Sequence, residues 1–254
     1  MSSQQRIALI TGGNRGIGRS TALALAAKGV DSVITYRTHP EEAEAVVAEL
    51  EALGRKAVAL RLDTGDTSAF EAFAANFTEA LRDTWGRQDF DYLVNNAGNS
   101  SNSSFDEVTE EEFDRLIDIH FKGVFFLTQR LVGLIVDGGA IVNLSSGLAR
   151  FAYPKRVLYG SVKGAVEVLT RYMAMEFGGR GIRANVVAPG AVATDFSGGV
   201  LRDTPAMQEA ITGQTALGRV AVADDIGPVI AAILGDDNHW VTGQRIEASG
   251  GVHL

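Results

Sequence analysis

Short apolar runs bounded by turn residues recur along the whole chain: Arg6–Thr11, Ser32–Tyr36, Ala57–Leu62, Asp91–Asn95, Ala140–Leu144, Arg183–Ala188 and Arg245–Ala248. They are short, rich in Val, Ile and Leu, and carry little polar alternation, the pattern of parallel strands buried on both faces. Segments with helical spacing lie between them. Ile17–Lys28 is Ala- and Leu-rich and stops at Gly29; Pro40 opens an acidic, Ala-rich run to Leu53 that Gly54 closes. Ser68-Ala-Phe-Glu71 and Thr109-Glu-Glu-Glu112 have the spacing of capping boxes.

Strand and helix alternate to the end, with no internal repeat and no linker. The pattern predicts one α/β domain over 1–254, doubly wound, with about seven parallel strands and helices on both faces. Two segments, Phe113–Leu134 and Tyr159–Phe177, are apolar beyond a single stripe. One face of each should meet the sheet and another a partner chain, which predicts an oligomer.

Composition narrows the function classes. At 254 residues the chain can bury a large core. Its net charge of −8 leaves no general basic face for nucleic acid. With no cysteine there is neither a disulfide framework nor a thiolate metal site, which fits a reducing, cytoplasmic setting. Met1–Arg6 is too short a lead for a signal peptide, and no run reaches the ~18 apolar residues of a membrane span. No metal site is expected.

The chemistry-bearing residues gather at predicted strand ends. The first strand runs into Thr11-Gly12-Gly13-Asn14-Arg15-Gly16-Ile17-Gly18 and then a helix. Glycines there let backbone approach a pyrophosphate at a helix N-terminus, where free N–H groups favour an anion. The second strand ends Thr35-Tyr36-Arg37, with no acid to bind a bare ribose. Arg37 and Arg15 instead suit a ribose 2′-phosphate, so NADP(H) is expected in preference to NAD(H), which stays possible.

Tyr159-Gly-Ser-Val-Lys163 sets a phenol and an ammonium on one helix face. A phenol titrates near ~10, and a neighbouring ammonium makes it a more usable acid–base group. Ser146 lies just past a strand end, where ligands bind in such sheets.

Taken together, these residues resemble the short-chain dehydrogenase/reductase family, in its shorter branch, over essentially the whole chain. Gly12, Gly16, Ile17 and Gly18 match its cofactor loop, and Asp63, followed by Thr64, its adenine contact. Asn95-Asn96-Ala97-Gly98 is similar to the family's fourth-strand motif, in which Asn95 steadies the sheet and Ala97-Gly98 lie against cofactor. Pro189, Gly190, Val192 and Thr194 resemble the nicotinamide segment, and Trp240-Val-Thr-Gly243-Gln the end motif. Ser146, Tyr159 and Lys163 match the catalytic trio. The resemblance implies a Rossmann-type hydride-transfer enzyme acting on a small-molecule carbonyl or alcohol, commonly a homotetramer (or homodimer) built through the two apolar helices. In one place the sequence departs from the family: His120 stands where the family has an Asn whose backbone carbonyl holds a relay water. That backbone role can survive the change, or His120 can titrate near neutrality and join the relay.

Two other readings stay open: a reductase of 3-oxoacyl groups on acyl carrier protein, and a cofactor-binding sensor that does little chemistry. The substrate pocket is expected from the loop after Gly98, from Gly147–Val157, and from a Gly- and Thr-rich lid around 194–215. Arg150, Phe151, Tyr153 and Phe196 are candidate substrate contacts.

Overall fold

The computed structural model describes residues 5–254; the lead Met1–Gln4 lies outside the described residues. In chain order the elements are β1 (Ile7–Ile10), α1 (Gly16–Ala26), β2 (Asp31–Tyr36), α2 (Pro40–Ala52), β3 (Ala57–Arg61), α3 (Phe70–Trp85), β4 (Phe90–Asn95), α4 (Glu110–Ile117), α5 (Gly123–Leu131), β5 (Ile135–Leu144), α6 (Val157–Phe177), β6 (Arg183–Pro189), α7 (Val200–Asp203), α8 (Pro205–Thr212), α9 (Ala223–Leu234) and β7 (Arg245–Ala248). The strands form one seven-stranded parallel sheet in the order β3-β2-β1-β4-β5-β6-β7.

Alternate strand residues feed two cores, one on each face. Ala8 and Ile10 of β1 join α1, α2 and α9, while Ile7 and Leu9 of the same strand join α3, α5 and α6. The second core is anchored by Phe77, which stacks on Phe73 at 6.1 Å and meets Phe90 edge-on at 5.0 Å. Both faces of the sheet are therefore covered, which explains why the strand sequences show no polar alternation.

The chain turns from β1 outward to β2 and β3, then returns so that β4 pairs on the other side of β1. That reversal opens a crevice at the carboxyl ends of β1 and β4. Buried side chains tie the crevice walls together. Asn95 donates to Asn143 Oδ1 (2.8 Å) and Thr128 Oγ1 (3.1 Å), and Asn143 donates to Thr170 Oγ1 (2.8 Å), joining β4 and β5 to α5 and α6. These satisfied polar groups set the seat of α6 in a way apolar packing alone would not.

Three local expectations are corrected. Ser68 does not cap α3: Asp66 accepts from Ser68 N (3.1 Å), and Ser68 lies within a short 3-10 turn ahead of the helix. Thr109 does cap α4 by accepting from Glu112 N (3.2 Å), but the Glu112 carboxylate is engaged by Ser103 (2.7 Å) instead of completing a box. Phe113–Leu134 is not one helix. A π-helical turn over Asp118–Lys122 separates α4 from α5, and a Cβ on Gly123 would overlap the Thr64 carbonyl. The chain gains a residue there to bring α5 against that loop, and His120 rides on the bulge. Strand β5 also begins earlier than the apolar run, because Gly138 (φ 80°) and Gly139 carry the pairing through a polar stretch beside Asp91.

Candidate active site

A cleft of about 470 Å³ opens along the strand ends and runs from the glycine turn to α6. At one end, Gly12 (φ 63°) and Gly16 (φ 54°) hold left-handed backbone that curls the chain into α1. A Cβ on Gly18 would overlap the Gly12 carbonyl, so turn and helix touch through bare backbone. The first turn of α1 has neither a side-chain cap nor an acidic residue, and Arg15, Gly16 and Ile17 at its start line the cleft. That is an anion cradle. Thr11 Oγ1 accepts from Asn96 N and Ala97 N (both 2.9 Å), and Asn96 Nδ2 donates to Thr11 O (2.8 Å), locking the turn to the end of β4.

Beyond β2, Arg37 and Thr38 line the cleft, with Arg37 exposed and without an ion-pair partner among the described residues. Arg15 lies across from it, 3.7 Å from Glu42 at the start of α2. Glu42 also accepts from Asn14 Nδ2 (2.6 Å). The cationic end thus contains one carboxylate that a phosphate would have to displace or share. These features together fit a phosphorylated dinucleotide: a bare N-terminus for the pyrophosphate and guanidinium groups at the ribose end.

At the other end stand Ser146, Tyr159 and Lys163. Tyr159 and Lys163 share one face of α6, with the ammonium 5.6 Å from the phenol ring centre. Ser146 follows β5 and caps a 3-10 turn by accepting from Leu148 N (3.2 Å). Lys163 is buried and donates to Leu144 O (2.7 Å). Burial alone pushes its pKa from 10.5 down to about 7. Burial raises the Tyr159 phenol above its ordinary value, while the Arg156 guanidinium and the Ser146 hydroxyl pull it back. The phenol is therefore protonated at neutral pH and ready to act as an acid.

His120 is 1% exposed and lines the cleft edge-on to Tyr159, with ring centres 5.6 Å apart. Its pKa lies well below 6.5, first because of burial and then because of Lys163. Of the two roles the sequence left open, titration near neutrality does not fit a ring that burial keeps neutral.

Most of the residues singled out in the sequence line this one cleft: Gly12, Asn14, Arg15, Gly16, Ile17, Arg37, Asp63, Thr64, Ala97, Gly98, Pro189, Gly190, Val192 and Thr194, with Ser146, Tyr159, Lys163 and His120. Three of the expected cofactor contacts do not. Asn95 is buried in the sheet, Gly18 lies under the turn, and Tyr36 packs on the core of α1 and α2. Asn96 and Thr38 take the corresponding wall positions. Of the four candidate substrate contacts, Phe196 alone reaches the cleft, its ring 6.2 Å from that of Tyr159. Arg150 instead binds Glu247 (2.8 Å) and the Val252 carbonyl (2.7 Å), while Phe151 and Tyr153 line a separate hollow outside α6.

Two supporting groups escaped the sequence reading. Glu167 accepts from Ser145 Oγ (2.7 Å) and Arg245 Nε (2.6 Å), bracing the segment that carries Ser146. Its spacing one turn beyond Lys163 on α6 was an available signal. Arg156 donates to Ser101 O (2.6 Å) and Ser100 Oγ (3.1 Å), joining the α6 start to the loop after Gly98. It lies one turn before Tyr159, but nothing in the local pattern announced its direction.

Comparison with known proteins agrees with this geometry. Residues 12–253 match a family profile described as enoyl-(acyl carrier protein) reductase. The hydroxynaphthalene reductase-like protein Arp2 of Metarhizium brunneum is 37% identical, covering 97% of this chain and 94% of its own. The solved structure of LugOII, a promiscuous reductase described as catalysing keto-reduction at C1 during lugdunomycin biosynthesis, superposes with a TM-score of 0.94 at 37% identity over 100% of both chains. The angucycline C-6 ketoreductase LanV, solved with bound NADP, gives 0.92 at 35% identity over 97% of this chain and 95% of its own.

Proposed function

The chain belongs to the short-chain dehydrogenase/reductase family of NAD(P)-dependent oxidoreductases, and on that premise we propose that it is an NADPH-dependent ketoreductase acting on aromatic ketones. The observation that carries this reading is the convergence of Ser146, Tyr159 and Lys163 at one end of a cleft whose other end holds the bare α1 N-terminus with Arg15 and Arg37. The aromatic preference rests on Phe196 beside Tyr159 and on the names of two similar proteins, the hydroxynaphthalene reductase-like Arp2 and the angucycline ketoreductase LanV.

When bound, the reduced cofactor supplies the hydride. This chain's residues do the rest. Ser146 and Tyr159 donate hydrogen bonds to the substrate oxygen and polarise the carbonyl. Tyr159 gives its proton as the alcohol forms. Lys163, charged at and below its pKa of about 7, stabilises the phenolate and holds the ribose. The left-handed run Ser197-Gly198-Gly199 (φ 57°, 70° and 77°) forms the hinge of a lid over 194–215, with Phe196 brought down on the substrate. A regulator without turnover would not need a buried lysine and a half-buried tyrosine lining one cleft. An acyl-chain substrate would leave Phe196 without a stacking partner.

The test is a titration with NADPH and NADH followed by turnover of a tetralone against a short 3-oxoacyl thioester. NADPH binds more tightly, and Arg37→Ala removes about 1–2 kcal/mol of that preference, the size of a charge-assisted contact. Glu42→Gln strengthens NADPH binding, because Arg15 and Asn14 are then no longer shared with a carboxylate. Tighter NADH binding, or an Arg37→Ala variant with unchanged preference, would refute the cofactor assignment; preferred turnover of the thioester would refute the substrate class.

We also propose a homotetramer. Phe113, Phe125 and Phe126 on α4–α5 and Val168, Tyr172 and Met175 on α6 are exposed, Met175 at 84%. Apolar faces this large on two neighbouring helices call for a partner. Sedimentation equilibrium should return four chains, and Tyr172→Glu should reduce that number; a monomeric wild-type protein would end this reading. Among the described residues no helix is long and apolar enough to cross a membrane. The cysteine-free composition supports a cytoplasmic setting.

A further inference from the structure

Four buried side-chain polar atoms of the described residues lack a hydrogen-bond partner: Ser32 Oγ, Arg87 Nη2, Ser101 Oγ and His120 Nδ1. Of these residues only His120 lines the cleft. An orphaned polar atom at a site of chemistry calls for an explanation, because burying it unpaired is costly.

Its geometry defines what Nδ1 is. Nε2 lies 2.7 Å from the Asn99 carbonyl oxygen and 3.2 Å from Asn99 Oδ1. Two lone pairs would repel at that separation, so Nε2 carries the hydrogen and donates it, and the Asn99 N–H at 3.2 Å from the same nitrogen is not paired with it. Nδ1 of the neutral ring is then a bare acceptor. The ring packs directly on Gly98, where a Cβ would overlap it. Beside it, Lys163 uses one of its three N–H donors, on Leu144 O, and has no other hydrogen-bond partner among the described residues. The Lys163 ammonium and the His120 ring each lie 5.6 Å from the centre of the Tyr159 ring. A donor in surplus and an acceptor without a partner thus flank one phenol, and a single water can satisfy both.

We infer that the His120 side chain is a positioning residue of the proton path: Nδ1 holds a water that also accepts from Lys163, and through it the Tyr159 phenolate regains its proton. The inference rests on the reading of Tyr159 as proton donor. In each reduction the substrate carbon gains a hydride from the reduced cofactor and the substrate oxygen gains the phenol proton. The phenolate takes a proton from the water, the water takes one from the Lys163 ammonium, and the amine takes one from solvent. The balance is one hydride and one solvent proton consumed per alcohol formed. His120 accepts a hydrogen bond throughout and changes neither charge nor tautomer. If the His120 backbone carbonyl held the water instead, the side chain would be dispensable.

The test uses the full chain with NADPH and phenanthrenequinone as the carbonyl probe. His120→Ala should lower kcat about tenfold or more while leaving NADPH affinity and probe KM within about twofold. Added imidazole should restore much of the loss by putting an acceptor back into the space vacated. An unchanged kcat, or a loss indifferent to imidazole, would overturn the inference. Nitrogen NMR of histidine-labelled wild-type protein decides independently of variant folding and of turnover: Nδ1 of His120 should be bare, and a hydrogen on it would overturn the proposal. Tyr159→Phe run alongside separates the two readings. Undiminished turnover there would remove the proton donor itself, while a dead Tyr159→Phe with a normal His120→Ala would remove only the role of His120.

Discussion

Tyr159→Phe loses about a thousandfold in kcat and keeps its affinity for NADPH. The phenol ring packs against His120 and Phe196 through its edges and face, and phenylalanine preserves those contacts. What is lost is the proton. General acid catalysis is worth about a hundred- to ten-thousand-fold, and the donor here faces the cleft with its pKa held above the ordinary phenol value by burial. The raised value favours reduction, since the acid form persists across the neutral range. In the oxidation direction the phenolate is needed, so that rate should climb with pH. Steady-state turnover together with a fluorescence titration of NADPH reads both quantities. A residual kcat within about tenfold of wild type would assign the proton to another group, Ser146 being the nearest hydroxyl.

Lys163→Met gives a dead protein that is harder to unfold. Lys163 is 5% exposed, makes one hydrogen bond and has no carboxylate partner among the described residues. Its folded pKa of about 7 lies below the unfolded value of 10.5. Between those values the unfolded chain holds a proton that the folded chain lacks, so this group makes stability rise with pH through that window. At and below about pH 7 the folded state carries the buried charge, and its cost is present in full. Methionine has a similar shape and no charge. After about 1 kcal/mol is allowed for leaving the Leu144 carbonyl unpaired, the variant should be more stable by a few kcal/mol near pH 6. The advantage should shrink near pH 9. Urea unfolding at both pH values measures it. A methionine variant that is less stable at both would mean that the lysine charge is well solvated where it lies. Stability given up at a reactive group is the usual trade of an active site.

The order of elements was legible because strand burial on both faces leaves an unmistakable apolar run, and because glycine and proline mark the helix ends. Tyr159 and Lys163 were legible for a different reason: their spacing is local, and a helix converts spacing into direction; Ser146 was legible from its place past a strand end and from the family resemblance. The same logic would have found Glu167, one turn beyond Lys163 on the same face of α6. What the sequence did not show concerns directions that no local pattern encodes. Arg150 resembled a pocket residue until Glu247 and the chain end proved to hold it. Phe151 and Tyr153 sit in a loop adjoining the site in sequence, but they line a separate hollow with Gly160 and Gly164 of α6.

The sequence by itself determined the alternation of strands and helices, the glycine turn at the first crossover, the absence of thiolate chemistry, and the placing of a tyrosine and a lysine on one helix face. Each follows from backbone preference, composition or a spacing of a few residues. Only the tertiary structure decided that Gly18 and Tyr36 stand behind the cleft wall, that Glu42 shares the guanidinium end, and that a π turn directs His120 to Tyr159 as a neutral ring. Those outcomes depend on how much water and charge surround a side chain, and on contacts between residues distant in the chain. Burial and long-range proximity arise only when the sheet and its two helix layers close together.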